Sequence, residues 1–174
     1  AHVALARQLW TAGDVSGAIG TLEQALKAGV TNAEIRLRLG LYLAESRVDT
    51  TRAISLLGAL ADDDAEAVNG LGIAYGAAGR YAEAIQAFER VLALDGSSGL
   101  ALQNIAAMHL EQNHITEAEQ FARRAVAAAP SLGKAHTTLG VVLARTGRRD
   151  EAIEAWKRAV AADGTEFDAM YNLV

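Results

Sequence analysis

The chain has 174 residues, enough for one compact domain or one short array of repeats. Of these 51% are hydrophobic but only 5% aromatic, cysteine is absent and the net charge is −5. The acidic balance argues against a protein that coats nucleic acid phosphates, and the lack of cysteine removes disulfides, thiolate metal sites and cysteine nucleophiles.

Alanine dominates the apolar residues. It has the best helix propensity and a small side chain, which suits helices whose axes approach closely. A single proline, Pro130, leaves nearly the whole chain free to be helical. No strand-like alternation occurs, and no apolar run reaches the roughly 18 residues that cross a bilayer. No charged-then-apolar leader is present.

Taken in order, the chain reads as helix pairs. From His2 to Lys27, Leu5, Leu9 and Ala12 form one predicted apolar stripe and Ile19, Leu22, Ala25 and Leu26 a second, broken at Gly13-Asp14. Spacings of three and four are those of helices buried on one side. Gly29 then ends a helix, and Thr31-Asn32 supplies side-chain oxygens that cap the next. The second pair, Ala33 to Ala61, uses Leu37, Leu39, Leu41 and Leu43, then Ala53, Leu56, Leu57 and Leu60. Arg47 stands at its turn, where Gly13, Gly79, Asn113 and Gly147 occupy the others. Glycine and asparagine tolerate the left-handed backbone such a helix end needs. Pairs follow at 65–98, 99–132 and 133–166, and residues 167–174 begin a sixth.

One hydrophobic position tracks this scheme: Leu5, Leu39, Leu71, Ile105, Leu139 and Leu173 are 34 residues apart, except for a step of 32 from Leu39 to Leu71. We expect a different stacking angle at that step. Other columns repeat too. Ala18, Ala53, Ala84, Ala118 and Ala152 are small on the second helices, and Gly40, Gly72, Ala106 and Gly140 are small on the first. Leu22, Leu57, Phe88 and Trp156 then fill space toward the next pair, while Ala122 holds that place in the fourth, with Phe121 beside it. Each pair alone would leave an apolar face in water, so stacking supplies the stability.

With Leu71-Gly72, Tyr75, Ala84, Phe88 and Val91 in this register, the chain resembles the tetratricopeptide repeat family over its whole length. Departures are the short second repeat, His109 and Leu143 in place of Tyr75, and a repeat-terminal proline only at Pro130. The resemblance implies an all-α, right-handed α–α superhelix: a single solenoid domain spanning 1–174, with repeats near 1–32, 33–64, 65–98, 99–132 and 133–166, and the partial 167–174. RNA-reading helix-pair repeats share a similar period, but the acidic balance counts against them.

Sites of chemistry are sparse. Gly70, Gly72 and Gly76 have the wrong spacing for a phosphate-cradling loop, and no strand precedes them. His109 and His136 fall in packing columns, and His109 and His114, five apart, do not share a helix face as a zinc pair would. Asp62-Asp63-Asp64 lacks the pattern of a calcium loop and is read as a helix cap. Trp10 and Trp156 are read as packing residues. With no nucleophile, base and orienting acid at a convincing spacing, we expect no enzyme activity, no cofactor and no metal site.

The resemblance implies that the first helices line a concave groove for an extended peptide or a partner helix. Register places Arg38, Asn69, Ile73, Gln103, Asn104, Lys134, Thr138 and Asn172 toward it, with Arg7, Leu41, Leu100, Thr137, Val141 and Tyr171 among them. Side-chain amides both donate and accept, so they can pair with a peptide backbone of any sequence. Some relatives clamp a C-terminal carboxylate with two lysines, two asparagines and an arginine. Here only Asn104 and Lys134 match, while Asn69, Ile73 and Thr138 take the other columns, so that mode is not expected. The expected function is a non-catalytic scaffold for a protein or peptide partner, without nucleic acid or membrane insertion. Two alternatives remain. The ending EFDAMYNLV and the Ala/Arg/Gly-rich repeats are similar to segments of bacterial sulfatase-like hydrolases, which implies an accessory domain of a larger enzyme. Met170, Tyr171 and Leu173 at an uncapped end would suit self-assembly into a homo-oligomer. The chain opens without methionine and stops inside an apparent helix, so we expect a segment of a longer protein; the compartment, cytoplasmic or periplasmic, is unassigned.

Overall fold

The computed structural model describes residues 1–62 and 64–173. Helices and short turns alternate: α1 (His2–Thr11), α2 (Val15–Lys27), α3 (Ala33–Ser46), α4 (Thr50–Gly58), α5 (Ala65–Ala77), α6 (Tyr81–Leu94), α7 (Gly99–Glu111), α8 (Ile115–Ala128), α9 (Gly133–Arg145), α10 (Arg149–Ala162) and α11 (Phe167–Asn172). The fold is all-α, and among the described residues no strand forms. The first helix of each later repeat begins at Ala33, Ala65, Gly99, Gly133 and Phe167, where the sequence predicts it. The chain divides into two compact units, residues 1–87 and 88–174, with the division inside α6.

Local chemistry sets these boundaries. Asp14, Asn32, Asp49 and Asp64 side chains accept from the backbone N–H groups of Gly17, Ile35, Arg52 and Ala67 at 2.8–3.1 Å. Caps of this kind stabilise a helix by about 1 kcal/mol each. Asp64 thus has the capping role expected of the acidic triplet; Asp63 lies outside the described residues. At the turns within repeats, Gly13, Gly79 and Gly147 have φ of 82°, 75° and 79°, and Asn113 has 59°. Each is followed by a residue whose N–H reaches back five positions: Asp14 to Leu9 O, Arg80 to Tyr75 O, His114 to His109 O and Arg148 to Leu143 O, at 2.8–2.9 Å. That bond closes the helix end. Arg47 takes the left-handed conformation as well, at φ 57°, but bonds to Ala44 O at 3.3 Å.

The small and large columns meet as the spacing requires. In unit 1, a Cβ built on Gly40 would lie 2.7 Å from Leu57 Cγ, and one on Gly70 would strike Leu41 Cδ2. Leu22, Ile35, Leu39, Leu43 and Leu57 make the buried core there. In unit 2, Gly140 faces the Trp156 indole, where a Cβ would be 2.5 Å from Cδ1. Trp156 joins Ala106, Ala122, Leu139, Leu143, Ala152, Ala155, Ala159 and Ala169 in one cluster.

Two expectations fail. Ala6, not Leu5, is the buried residue of α1; Leu5 is 49% exposed, because α1 is covered on the α2 and α3 side only. Leu60 is not in a second helix, since α4 is 9 residues long and stops at Gly58, and Leu60 falls in the turn that follows.

Packing at Gly140 and at Gly20 should respond with opposite signs. Gly140→Ala forces a methyl into a buried indole and should destabilise by about 1–3 kcal/mol. Gly20, inside α2, has nothing within 4 Å of an added Cβ. Gly20→Ala should therefore stabilise by about 0.5–1 kcal/mol through helix propensity. Urea unfolding of both variants checks the pair, and equal stability would contradict the packing account.

Candidate functional site

In unit 1 the first helices α1, α3 and α5 carry Arg7, Arg38, Asn69 and Ile73. Arg38 does not stand free. Its Nε donates to Glu34 Oε1 at 2.9 Å, and Nη1 and Nη2 donate to Glu66 at 2.6 and 3.2 Å. Glu34 also lies 3.8 Å from Arg7. Glu34 and Arg38 are one turn apart on α3, and Glu66 lies in the first turn of α5, where negative charge suits the helix end. Burial works against the Arg38 charge, but the hydrogen bonds and charges of Glu34 and Glu66 outweigh it and hold the guanidinium above its usual range. Its fork is filled, so Arg38 braces α3 against α5. Asn69 and Ile73, one turn apart on α5, are half-buried. Glu66 escaped the sequence reading, although its signal was present: Glu34 and Glu66 are each the second residue of a first helix.

In unit 2, Gln103 and Asn104 lie on α7, Lys134 and Thr138 on α9, and Asn172 ends α11. Gln103 Nε2 donates to Thr138 Oγ1 at 3.2 Å, and both residues are over nine-tenths buried. Two buried polar groups thus satisfy each other and join α7 to α9. Thr137 Oγ1 sits between Gly133 O at 3.2 Å and Glu166 Oε2 at 3.0 Å, and Arg145 Nη1 donates to Leu110 O at 3.3 Å. Asn104 is half-buried; Lys134 and Asn172 are exposed. On α9, Lys134, Thr138 and Val141 share one face at spacings of four and three. Thr165, whose side chain and backbone donate to Asp163, holds that carboxyl below its usual range, and the Lys134 charge adds a smaller effect of the same sign. The candidate site residues of unit 2 therefore divide into a paired floor, Gln103–Thr138, and the accessible Asn104, Lys134 and Asn172.

The other singled-out residues are structural. Gly70, Gly72 and Gly76 lie inside α5. Trp10 stacks on Tyr42 with ring centroids 4.2 Å apart. His136 is buried and its Nε2–H donates to Pro130 O at 2.8 Å. His109 stacks on Phe121 at 5.5 Å and lies 5.9 Å from the His114 ring, with its Nδ1 buried and without a hydrogen-bond partner. Among the described residues, no group of three or more His, Cys, Asp or Glu could hold a metal ion, and no helix is long and apolar enough to cross a membrane.

Comparison with known proteins agrees with this geometry. The tetratricopeptide repeat profile matches residues 3–68, 69–132 and 137–174. Over 83 residues the chain is 32% identical to the small glutamine-rich tetratricopeptide repeat-containing protein 2 of Mycosarcoma maydis. That match covers 48% of this chain and 24% of the relative, so the chain spans about a quarter of that protein. Among solved structures, a thermophilic TPR protein of Thermus thermophilus superposes with a TM-score of 0.83 at 17% identity, over 99% of this chain and 95% of that one. The first TPR of Spaghetti (RPAP3), bound to an HSP90 peptide, gives 0.58 at 24% identity, over 63% of this chain and 86% of that one. At these identities the two structures show the shared fold.

His109 makes part of this stability depend on pH. Burial, the largest influence, lowers its basicity; Glu117 and Glu89 oppose this and His114 adds to it. The folded chain therefore binds this proton less readily than the unfolded chain, whose histidines titrate near pH 6.5. The stabilisation from a neutral His109 is full above about pH 6.5 and declines as the pH falls below it. His109→Phe, which keeps the ring stack, should shrink the fall in melting temperature between pH 7.5 and 5.5. An unchanged fall would show that other groups carry it.

Proposed function

This chain belongs to the tetratricopeptide repeat family, and from that premise we propose that it is a non-catalytic scaffold that receives an extended peptide along α7 and α9 of unit 2. One observation carries the reading: on α7 and α9, Asn104 is half-buried and Lys134 exposed, while the buried Gln103 and Thr138 of the same helices are spent on each other. The Asn104 amide can donate to a peptide carbonyl and accept from a peptide N–H, and the Lys134 ammonium adds three donors. A rigid, satisfied floor keeps these groups in place, which lowers the ordering cost of binding. The peptide-bound Spaghetti repeat supports the general mode, since it places a peptide on the same fold. With Asn69, Ile73 and Thr138 in three of the five clamp columns, recognition here rests on the peptide backbone rather than on a terminal carboxylate.

Substituting both Asn104→Ala and Lys134→Ala should lower partner recovery in affinity capture about tenfold, with the melting temperature unchanged because neither side chain is in the core. Equal recovery by wild type and double variant would remove these residues from the site.

A second reading follows from α11. Phe167 is 73% and Tyr171 84% exposed, and Met170 and Leu173 are 44% and 37% exposed. Aromatic side chains bury about 150–250 Å² each on association. Two copies pairing through α11 would cover them. Sedimentation should then show a concentration-dependent dimer that Phe167→Ser with Tyr171→Ser abolishes; a monomer at every concentration rules the pairing out.

A further inference from the structure

Three places in the chain set a glycine directly after an asparagine or aspartate: Asn69-Gly70, Asp95-Gly96 and Asp163-Gly164. Glycine has no side chain to shield its amide nitrogen, so at such pairs that nitrogen can attack Cγ of the residue before it. With aspartate, the Gly N–Cγ bond forms, one carboxyl oxygen leaves as water, and a cyclic succinimide results. Water then opens the ring. Opening at Cγ restores aspartate; opening at the α-carbonyl carbon leaves isoaspartate, whose backbone runs through Cγ and is one methylene longer. The water lost in the first step is regained in the second, and nothing is oxidised or reduced.

Chain context separates the three pairs. Gly70 is buried inside α5, where Leu41 leaves no room for a Cβ and the N–H is bonded along the helix. Attack there requires Asn69 to leave the helical conformation. Asp95-Gly96 and Asp163-Gly164 lie in the turns that join α6 to α7 and α10 to α11, and all four residues are exposed. Among the described residues, neither the Gly96 N–H nor the Gly164 N–H has a hydrogen-bond partner. The nucleophile is free at both turns and engaged at Asn69.

What restrains the turns is the residue two positions on. Asp95 Oδ1 accepts from Ser97 N at 3.0 Å and Ser97 Oγ at 2.8 Å, and Asp163 Oδ1 accepts from Thr165 N at 2.9 Å and Thr165 Oγ1 at 2.7 Å. These bonds hold each carboxyl in one orientation. At Asp163 they also keep it below its usual range, and the ionised form loses water less readily than the neutral acid. We propose that Asp95 and Asp163 are the sites at which this chain forms isoaspartate, and that the Ser97 and Thr165 hydroxyls are latches that slow it. The added methylene falls where Ser98 N–H bonds to Asp95 O and Glu166 N–H to Asp163 O, both at 3.1 Å, in the turns that lead into α7 and α11. A methyltransferase that esterifies isoaspartyl carboxylates from S-adenosylmethionine is the class of enzyme such a site fits.

That enzyme, with labelled methyl donor, is the probe. The folded chain is aged at neutral pH and 37 °C, isoaspartate is counted by methylation, and each site is located by fragmentation mass spectrometry. Asp95 and Asp163 should convert while Asn69 stays intact; in the chain unfolded by urea, Asn69 should convert first, which shows that α5 protects it. Ser97→Ala should raise the rate at Asp95 at least twofold and leave Asp163 unchanged, and Thr165→Ala should do the reverse, so each turn is the control for the other. Both substitutions lie on exposed turns, and an unchanged melting temperature confirms folding. Conversion of Asn69 ahead of both turns in the folded chain, no conversion at either turn, or rates that neither hydroxyl variant alters would each overturn the proposal.

Discussion

Everything in this fold depends on how closely two helices of a pair can approach. Gly40 against Leu57 and Gly140 against Trp156 are the clearest cases: a hydrogen replaces a methyl, and a large side chain of the second helix occupies the space. Close packing gains dispersion contacts only while the gap is filled and nothing overlaps. The alternation of small and large columns is therefore a geometric necessity, and it explains a composition rich in alanine and poor in aromatics. Because the packing faces are committed to this fit, function is left to the faces that point away from it.

Much of the fold was legible because its determinants are local. A side-chain cap acts within one turn, so the helix starts at Ala33, Ala65 and Gly99, after Asn32, Asp64 and Ser98, follow from neighbours in sequence, whereas Gly133 and Phe167 start helices without such a bond. The shortened α4 was less legible. Its leucines continue the helical spacing through Leu60, but nothing in that pattern records that the turn after Gly58 takes Leu60 out of the helix. Leu5 fails for another reason: a column predicts burial only where something covers it, and periodicity carries no information on coverage.

The candidate site was legible as positions and not as states. Register put Arg38, Gln103 and Thr138 among the site residues, but Arg38 closes on a glutamate 28 residues away, and Gln103 reaches Thr138 across 35 residues. Neither spacing is the repeat length, so the pairs do not show as one repeated column, although Glu34 and Glu66 share one. Knowing the pairs changes their roles. The ion pairs of Arg38, half-buried on the arginine side and exposed on the glutamate side, remove its guanidinium from the pool of groups that can meet a ligand. Subtracting such spent groups leaves Asn104, Lys134 and Asn172 as the accessible polar residues of the unit 2 set.

A repeat array can depart from its own pattern in two physically different ways. A departure on an outward face, as at Asn104, changes which hydrogen bonds are on offer and leaves the packing untouched. A departure in a packing column, as at Ala122, removes volume, and volume removed from a close-packed interior must be collapsed, hydrated or filled by something else. Ala122 is fully buried and its neighbour Phe121 packs against the same cluster, so a side chain of the same helix takes part in filling that region. The outward departure lies on α7 and the packing departure on α8, so neither alters the contact of Gly140 with Trp156 that holds α9 against α10.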